Sequence, residues 1–583
     1  MGKGKVLVIT MIAGLLAIGL FWLNSDISAK KAQTFSAGSA NLVKLSDENP
    51  DFAEWGKNFP EYLDMYMKMK DSTYTATNFA GSYPYSKLNR YPQLTMFWDG
   101  YAFKFDYNQN RSHYYTQIDQ METLRNNKKF LNSHGLEKFG GQPGACMNCH
   151  TGNLQNLVKK FGWVEFNTMK YWTIIKLMDG PDTVHGKKMG STCADCHNPD
   201  DMSLRVTRPA AINSLVSRGY EKDSKHGVKA SRQEMRSLVC MQCHVEYYNQ
   251  PTGKKITIKA ESNYTEVTEL KDGNTIVDKE VNGIELLYPW KFWKKGEPFR
   301  IEMFDEYYDS VRDSFPQDFI HATTKTQVIK MQHPEAELYS GGVHAANGVA
   351  CADCHMPYKR EGAKKVTNHF IASPLLDVNS SCKSCHTQSE EYLKKQVFDI
   401  QTTTAYDIRS AEYAVASLIK DITTLRAELA KLPEFAKIKD KAEQEKAITK
   451  VVKPALELHR KSQIRADFMN AENSSGFHNP REAARISLQG VKFAKQGQEQ
   501  VVAIGAKYGI KITPSNLGFE DMRKIAPSPV KIDGKRYYEE PLQDNAPKEL
   551  LELDKNLVPY NYKAISAASK GKTAQEPFYQ AKH

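Results

Sequence analysis

All ten cysteines of the chain fall in five Cys-x-x-Cys-His units: Cys146-Met-Asn-Cys149-His150, Cys193-Ala-Asp-Cys196-His197, Cys240-Met-Gln-Cys243-His244, Cys351-Ala-Asp-Cys354-His355 and Cys382-Lys-Ser-Cys385-His386. This is the spacing of c-type haem attachment, in which two thiols bond the haem vinyl groups and the adjacent histidine coordinates iron. A single unit would fit a redox dithiol or half a zinc site equally well. Five units that use every cysteine leave little room for either, and none is left for a disulfide. Of 16 histidines, eleven lie outside the units: His113, His134, His185, His226, His321, His333, His344, His369, His459, His478 and His583. An electron-transfer haem takes a second strong axial ligand, whereas a catalytic haem keeps an open face with polar groups around it. Eleven candidates suffice to close all five haems, so counting does not separate an electron wire from an enzyme. His344, shortly before Cys351, and His369, between the last two units, are expected near haem. His478 is held in Gly476-Phe477-His478-Asn479-Pro480, a turn at a helix start. His333 lies in Lys330-Met331-Gln332-His333-Pro334-Glu335, beside polar groups that a plain ligand segment does not need.

The elements that must position these residues read as mainly α. The five units occupy 146–386; the first three start 47 residues apart, followed by gaps of 111 and 31. Upstream, 51–129 is rich in Tyr, Phe and Trp with mixed short helices. The long gap holds a β-excursion over 252–293, with strand-like alternation at 254–259 and turn signals at Asp272-Gly273-Asn274 and Asn282-Gly283. Within Glu390 to Leu432, Ile408, Ala411, Val415, Leu418, Ile422, Leu425 and Leu429 recur at alternating steps of three and four, one helix face with a coiled-coil-like seam. Pro433 ends that helix. Further helical stretches are expected at 435–452 and 454–470. Asn479 reads as an N-cap with Pro480 at the first position of a helix to about Ala506. Four regions follow: 1–30, 31–387, 388–510 and a polar tail at 511–583.

The N-terminus carries Lys3 and Lys5, then an uncharged apolar run from Val6 to Leu23. Its 18 residues span about 27 Å as a helix, the lower limit for crossing a bilayer. Charged start plus apolar run reads as an export signal, either cleaved or kept as a membrane anchor, with the body in a periplasm. Across 583 residues, 79 Lys+Arg against 68 Asp+Glu give a net charge of +11. Each ferric haem brings about −1, so the basic chain largely neutralises such cofactors. A mean hydropathy of −0.57 excludes a polytopic membrane protein. The weakly basic balance, with no basic patch interleaved with aromatics, does not indicate nucleic acid.

Over roughly 52–500 these motifs resemble the pentahaem ammonia-forming cytochrome c nitrite reductases. The resemblance rests on His244-Val-Glu246-Tyr247-Tyr248, Lys330-x-Gln332-His333-Pro334, His344, His369-x-x-x-Ser373-Pro374-Leu375 and Phe477-His478. Upstream it rests on Asp106-Tyr107…Arg111-x-His113-Tyr114 and Thr123-Leu124-Arg125. It implies a mainly α multihaem fold with five covalent haem c groups, and six-electron reduction of nitrite to ammonium. By position, it pairs His197 with His369, His244 with His113, His355 with His478 and His386 with His344, and leaves the haem of Cys146, Cys149 and His150 open. Arg125, Tyr247 and His333 would line that open face, with His333 donating protons. A calcium would take the Glu246 carboxylate, the Gln332 side-chain carbonyl and the backbone carbonyls of Tyr247 and Lys330. A membrane-bound multihaem quinol dehydrogenase as electron donor, and a homodimer through long C-terminal helices matching the 408–429 seam, are implied as well. One departure stands out: most of the family ends the first unit in Lys, and here it ends in His150. The alternatives are another multihaem enzyme, acting on hydroxylamine or sulfur oxyanions, and a carrier with every haem closed; His134 is the nearest sequence candidate to close the first.

Overall fold

Three long helices follow the last Cys-x-x-Cys-His unit, and each starts on a side-chain cap. Ser389 Oγ accepts from Tyr392 N at 3.2 Å ahead of Glu390–Lys431, Asp440 caps Lys441–Ala471, and Asn479 Oδ1 accepts from Glu482 N at 3.3 Å ahead of Pro480–Lys507. These bonds satisfy amides that a helix start otherwise leaves without partners. In this computed structural model the described residues are 3–38, 42–71, 73, 75, 77, 79, 81–82, 86–126, 131–132, 143–171, 174, 189–258 and 279–524.

The expected seam is fully used within one chain. Ala411, Val415, Leu418, Ile422, Leu425 and Leu429 are buried with Ile448, Val452, Ala455 and Leu456 of the second long helix and Val491, Ala494 and Val501 of the third. The seam is therefore not the free face that the homodimer expectation drew on. The expected break between 452 and 454 is also absent, since Lys441–Ala471 runs through Pro454. A proline inside a helix removes a hydrogen bond and crowds the preceding turn. Here burial of Val452, Ala455 and Leu456 on both sides of it outweighs that local cost.

The haem-motif turns are short helices set by their own sequence. In both Cys-Ala-Asp-Cys units the aspartate reaches back to the turn's first amide: Thr192 N to Asp195 Oδ2 at 2.6 Å, and Ala350 N to Asp353 Oδ2 at 2.7 Å. The other oxygen of each takes an arginine, Arg208 at 2.6 Å and Arg236 at 2.7 Å, which ties the turn to the segment before the third unit.

The β-excursion is an antiparallel hairpin, Tyr248–Ile258 against Lys279–Leu287, so it starts directly after Tyr247. The Asp272-Gly273-Asn274 turn signal lies outside the described residues. Asn282-Gly283 is not a turn: Asn282 pairs with Lys255 inside the ladder, opposite a register shift between Pro251 and Lys255. A Cβ on Gly283 would come within 2.7 Å of Thr252 Oγ1, so the glycine marks an irregularity rather than a corner. The excursion also ends earlier than 293, because Trp290 and Trp293 are buried in the main core. Four two-stranded ribbons are the only sheets among the described residues, and the architecture is mainly α.

At the N-terminus, Lys3–Gly38 is one helix, whose Thr10–Ala29 segment is long and apolar enough to cross a membrane and is unburied. After the third long helix the chain returns along the first. Leu517 N donates to Ser417 Oγ at 2.9 Å, and Phe519 and Met522 pack on Tyr413 and Ala416. The remaining tail, 525–583, lies outside the described residues.

Candidate active site

The five units converge on one cavity of about 1890 Å³, lined by Cys149 and His150 and by cysteines and histidines of the other four units. Cys149 of the first unit neighbours Cys243 of the third, and Cys240 of the third neighbours Cys351 of the fourth. Cys354 and Cys382 are close enough to interact, as are Cys196 and Cys243. The units thus run first, third, fourth, fifth, with the second beside the third.

Four histidine pairs face one another across this cavity. Ring centroids are 6.0 Å apart for His113 and His244, 6.2 Å for His197 and His369, 6.2 Å for His344 and His386, and 6.5 Å for His355 and His478. Two metal–nitrogen bonds of about 2.0–2.1 Å, with each nitrogen about 1.1 Å from its ring centre, require roughly 6.3 Å. The spacing therefore fits an iron between each pair. Peptide carbonyls also fix which ring nitrogen is left for metal. Nδ1 meets Thr116 O at 3.0 Å for His150, Met202 O at 2.7 Å for His197, Ala372 O at 3.0 Å for His355 and Thr367 O at 2.9 Å for His369. A ligating histidine ordinarily donates its second N–H in this way.

His150 has no such opposite ring among the described residues; His134 and His185 lie outside them. Arg125, Tyr247 and His333 gather near the first unit instead. Asp106 shapes the Thr123-Leu124-Arg125 turn: its Oδ2 accepts from Thr123 Oγ1 and from Leu124 N at 2.6 Å. Its carbonyl takes Arg125 Nη1 at 2.6 Å, and the guanidinium lies 4.1 Å over the Phe103 ring. From there its charge acts on Cys146 and His150. Tyr247 packs beside Cys146 and Cys149, and burial pushes its phenol well above the ordinary range.

His333 departs from expectation in one respect. Burial, opposed by Glu335, pushes its imidazole down to about 3, so it is neutral near pH 7 rather than a ready proton donor. An anion entering the pocket would raise its proton affinity. Tyr101 is a further neighbour that sequence reasoning did not single out. It stacks on Phe319 at 4.7 Å and on Phe103 at 5.3 Å, and it interacts with Cys146 and Arg125. The aromatic richness of 51–129 was its only signal.

Of the expected calcium donors, Glu246, Gln332 and the Lys330 carbonyl come together. Glu246 is fully buried; Oε1 accepts from Tyr308 Oη at 2.9 Å and Oε2 from Gln332 N at 2.6 Å. Gln332 Nε2 stands 3.4 Å from Lys330 O, so calcium binding requires that amide to present its oxygen instead. Buried Glu337 and Asp318 stand close by, and burial pushes them up to about 8 and about 7, which favours their neutral forms in the absence of a cation. The Lys330 ammonium is already paired with Asp467 at 3.2 Å. An oxygen-rich pocket whose nearby ammonium is engaged elsewhere offers the donors that suit a hard divalent ion.

The family model described as cytochrome c552 matches residues 51–553. A cytochrome c-552 of Porphyromonas gingivalis is 31% identical over 505 residues, 86% of this chain and 85% of that protein. One of Desulfotalea psychrophila is 32% identical over 508 residues, 87% and 85% of the two chains. A cytochrome c nitrite reductase of Desulfovibrio desulfuricans, whose catalytic subunit is described with two calcium sites, superposes with a TM-score of 0.61 at 26% identity, covering 80% of this chain and 89% of that one. With the motifs, the cavity and the mainly α scaffold in agreement, the chain belongs to the cytochrome c552 family of multihaem nitrite reductases.

Proposed function

We propose that this chain reduces nitrite to ammonium with six electrons at an open haem on Cys146, Cys149 and His150, fed through four haems held by the paired histidines. The observation that carries the reading is the contrast between four facing histidine pairs and a first unit faced by Arg125, Tyr247 and His333. When bound, the haems supply single electrons and one vacant iron position.

The chain's own residues do the rest. Arg125 holds a permanent positive charge that attracts a small anion and its reduced forms, and Asp106 and Phe103 fix its direction. Neutral His333 offers a ring N–H. As negative charge arrives, the same ring takes up a proton, which it passes on near neutral pH. Tyr247 offers a hydroxyl to bound oxygens. Glu246, Gln332 and the carbonyls of Lys330 and Tyr247 would hold calcium, which would add positive potential and fix the loop carrying His333. Residues 1–30 direct the chain to the periplasm, where a membrane-bound multihaem quinol dehydrogenase supplies electrons. A homodimer forms through faces other than the 408–429 seam.

The purified protein should contain one high-spin haem that responds to added nitrite, beside four low-spin haems. One ammonium should appear for every six reducing equivalents. Five low-spin haems unresponsive to nitrite would leave an electron carrier instead.

A further inference from the structure

Two axial-ligand candidates have carboxylates rather than carbonyls facing their Nδ1 atoms. Carbonyls face His150, His197, His355 and His369, whereas carboxylates face His478 and His244. His478 Nδ1 approaches Glu472 Oε1 at 2.7 Å, and the Glu472 side chain is fully buried. Ser474 N at 3.1 Å, Ser474 Oγ at 2.8 Å and Gly476 N at 3.3 Å hold that carboxylate in place. His244 Nδ1 stands 3.7 Å from Glu335 Oε2, a buried oxygen with no hydrogen-bond partner. The other Glu335 oxygen is held by Asn473, through its amide N at 3.3 Å and through its side chain. One short segment, 472–474, therefore supplies one carboxylate and anchors the other. Both lie on the third and fourth units, the middle of the row.

We infer that Glu472, acting through His478, and more weakly Glu335, acting through His244, are positioning residues that lower the reduction potentials of the fourth and third haems. The inference rests on the axial assignments proposed above. A carboxylate set beside the second ring nitrogen of a ligating imidazole raises the basicity of that ligand. A more basic ligand, and a buried negative charge nearby, both favour ferric over ferrous iron. Distance ranks the two. At 2.7 Å Glu472 sits nearer its ring nitrogen than Glu335 does at 3.7 Å; neither pair is aligned as a hydrogen bond, so both act through space and the nearer charge acts more strongly. Electrons would then be held less firmly in the middle of the row than at the first site, where His150 has only a carbonyl behind it.

The test is a potentiometric titration of the full-length holoprotein, followed by low-spin absorbance and electron paramagnetic resonance. In Glu472→Gln, with haem content unchanged, the ferrous-to-ferric ratio of one low-spin haem should rise about tenfold at fixed ambient potential, a shift of about 59 mV for one electron. Glu335→Gln should raise a different low-spin haem by less, and Glu472→Asp should recover part of the Glu472→Gln shift. Unmoved potentials with haem content and low-spin signals retained would overturn the inference and leave the axial assignments standing. Fewer than four low-spin haems in the unmutated protein would overturn both. Should Glu472→Gln fail to assemble its haems, the Glu335→Gln titration decides, and no shift there overturns the proposal.

Discussion

In the proposed reaction the anion-holding charge is that of Arg125, and its neighbours explain why it is aimed rather than mobile. The Asp106 carbonyl binds one guanidinium nitrogen at 2.6 Å, while the nearest Asp106 carboxylate oxygen stands off at 4.0 Å. The cation is thus oriented without being neutralised by a tight ion pair. Arg125→Ala should lower nitrite turnover by about a hundredfold or more, the scale of losing one preorganised donor, while all five haems stay attached. Steady-state turnover with a haem stain checks this, and unchanged turnover would remove Arg125 from the mechanism. Arg125→Lys should not restore the rate, because an ammonium lacks the planar fork that both the carbonyl and the anion use.

Helices and loops decide whether such side chains meet. Lys330 is buried beside Trp98 at 4.9 Å and Tyr107 at 5.3 Å, and Asp467 of the second long helix is its counter-ion. Removing one partner of a buried pair strands the other, at a cost of about 3–5 kcal/mol. Asp467→Ala should therefore lower the thermal midpoint markedly and disturb the Gln332-His333 loop. The double variant Lys330→Met with Asp467→Leu should recover much of that stability, and thermal unfolding of both variants checks the pair. The 472–478 loop depends on Gly476, whose φ is +83°; a Cβ there would also collide with the Thr404 side chain. Gly476→Ala should cost about 1–3 kcal/mol in backbone strain before any clash. It should also displace His478, seen as loss of one low-spin signal with haem content retained.

Across the whole molecule the long helices and the haem-binding region are bound into one another. Arg465 of the second long helix pairs with Asp305, and Arg485 of the third pairs with Glu302 at 2.8 Å. Asn473 and His478 come from the connection between these two helices and reach the haem cavity directly. The helices thus build the site as well as support it. At the other end, the apolar Thr10–Ala29 segment of the first helix is not buried. Fused ahead of alkaline phosphatase, residues 1–30 should yield active enzyme outside the cytoplasm, since the reporter requires oxidising conditions; an inactive fusion would contradict export.

The sequence by itself determined the covalent chemistry and the local elements. Cys-x-x-Cys-His spacing is a short-range geometric requirement, Ser389, Asn479 and Pro480 set helix starts within a few residues, and the 408–429 periodicity reports one buried face. It could not say which buried partner that face meets, and the partner proved to be the same chain. Nor could it tell that burial would carry a helix through Pro454, or that Asn282-Gly283 would be drawn into a ladder. Only the tertiary structure set Glu472 against His478, placed Tyr101 beside Arg125, and desolvated His333. Those are properties of distance and desolvation in the folded chain, and no local pattern of residues encodes them.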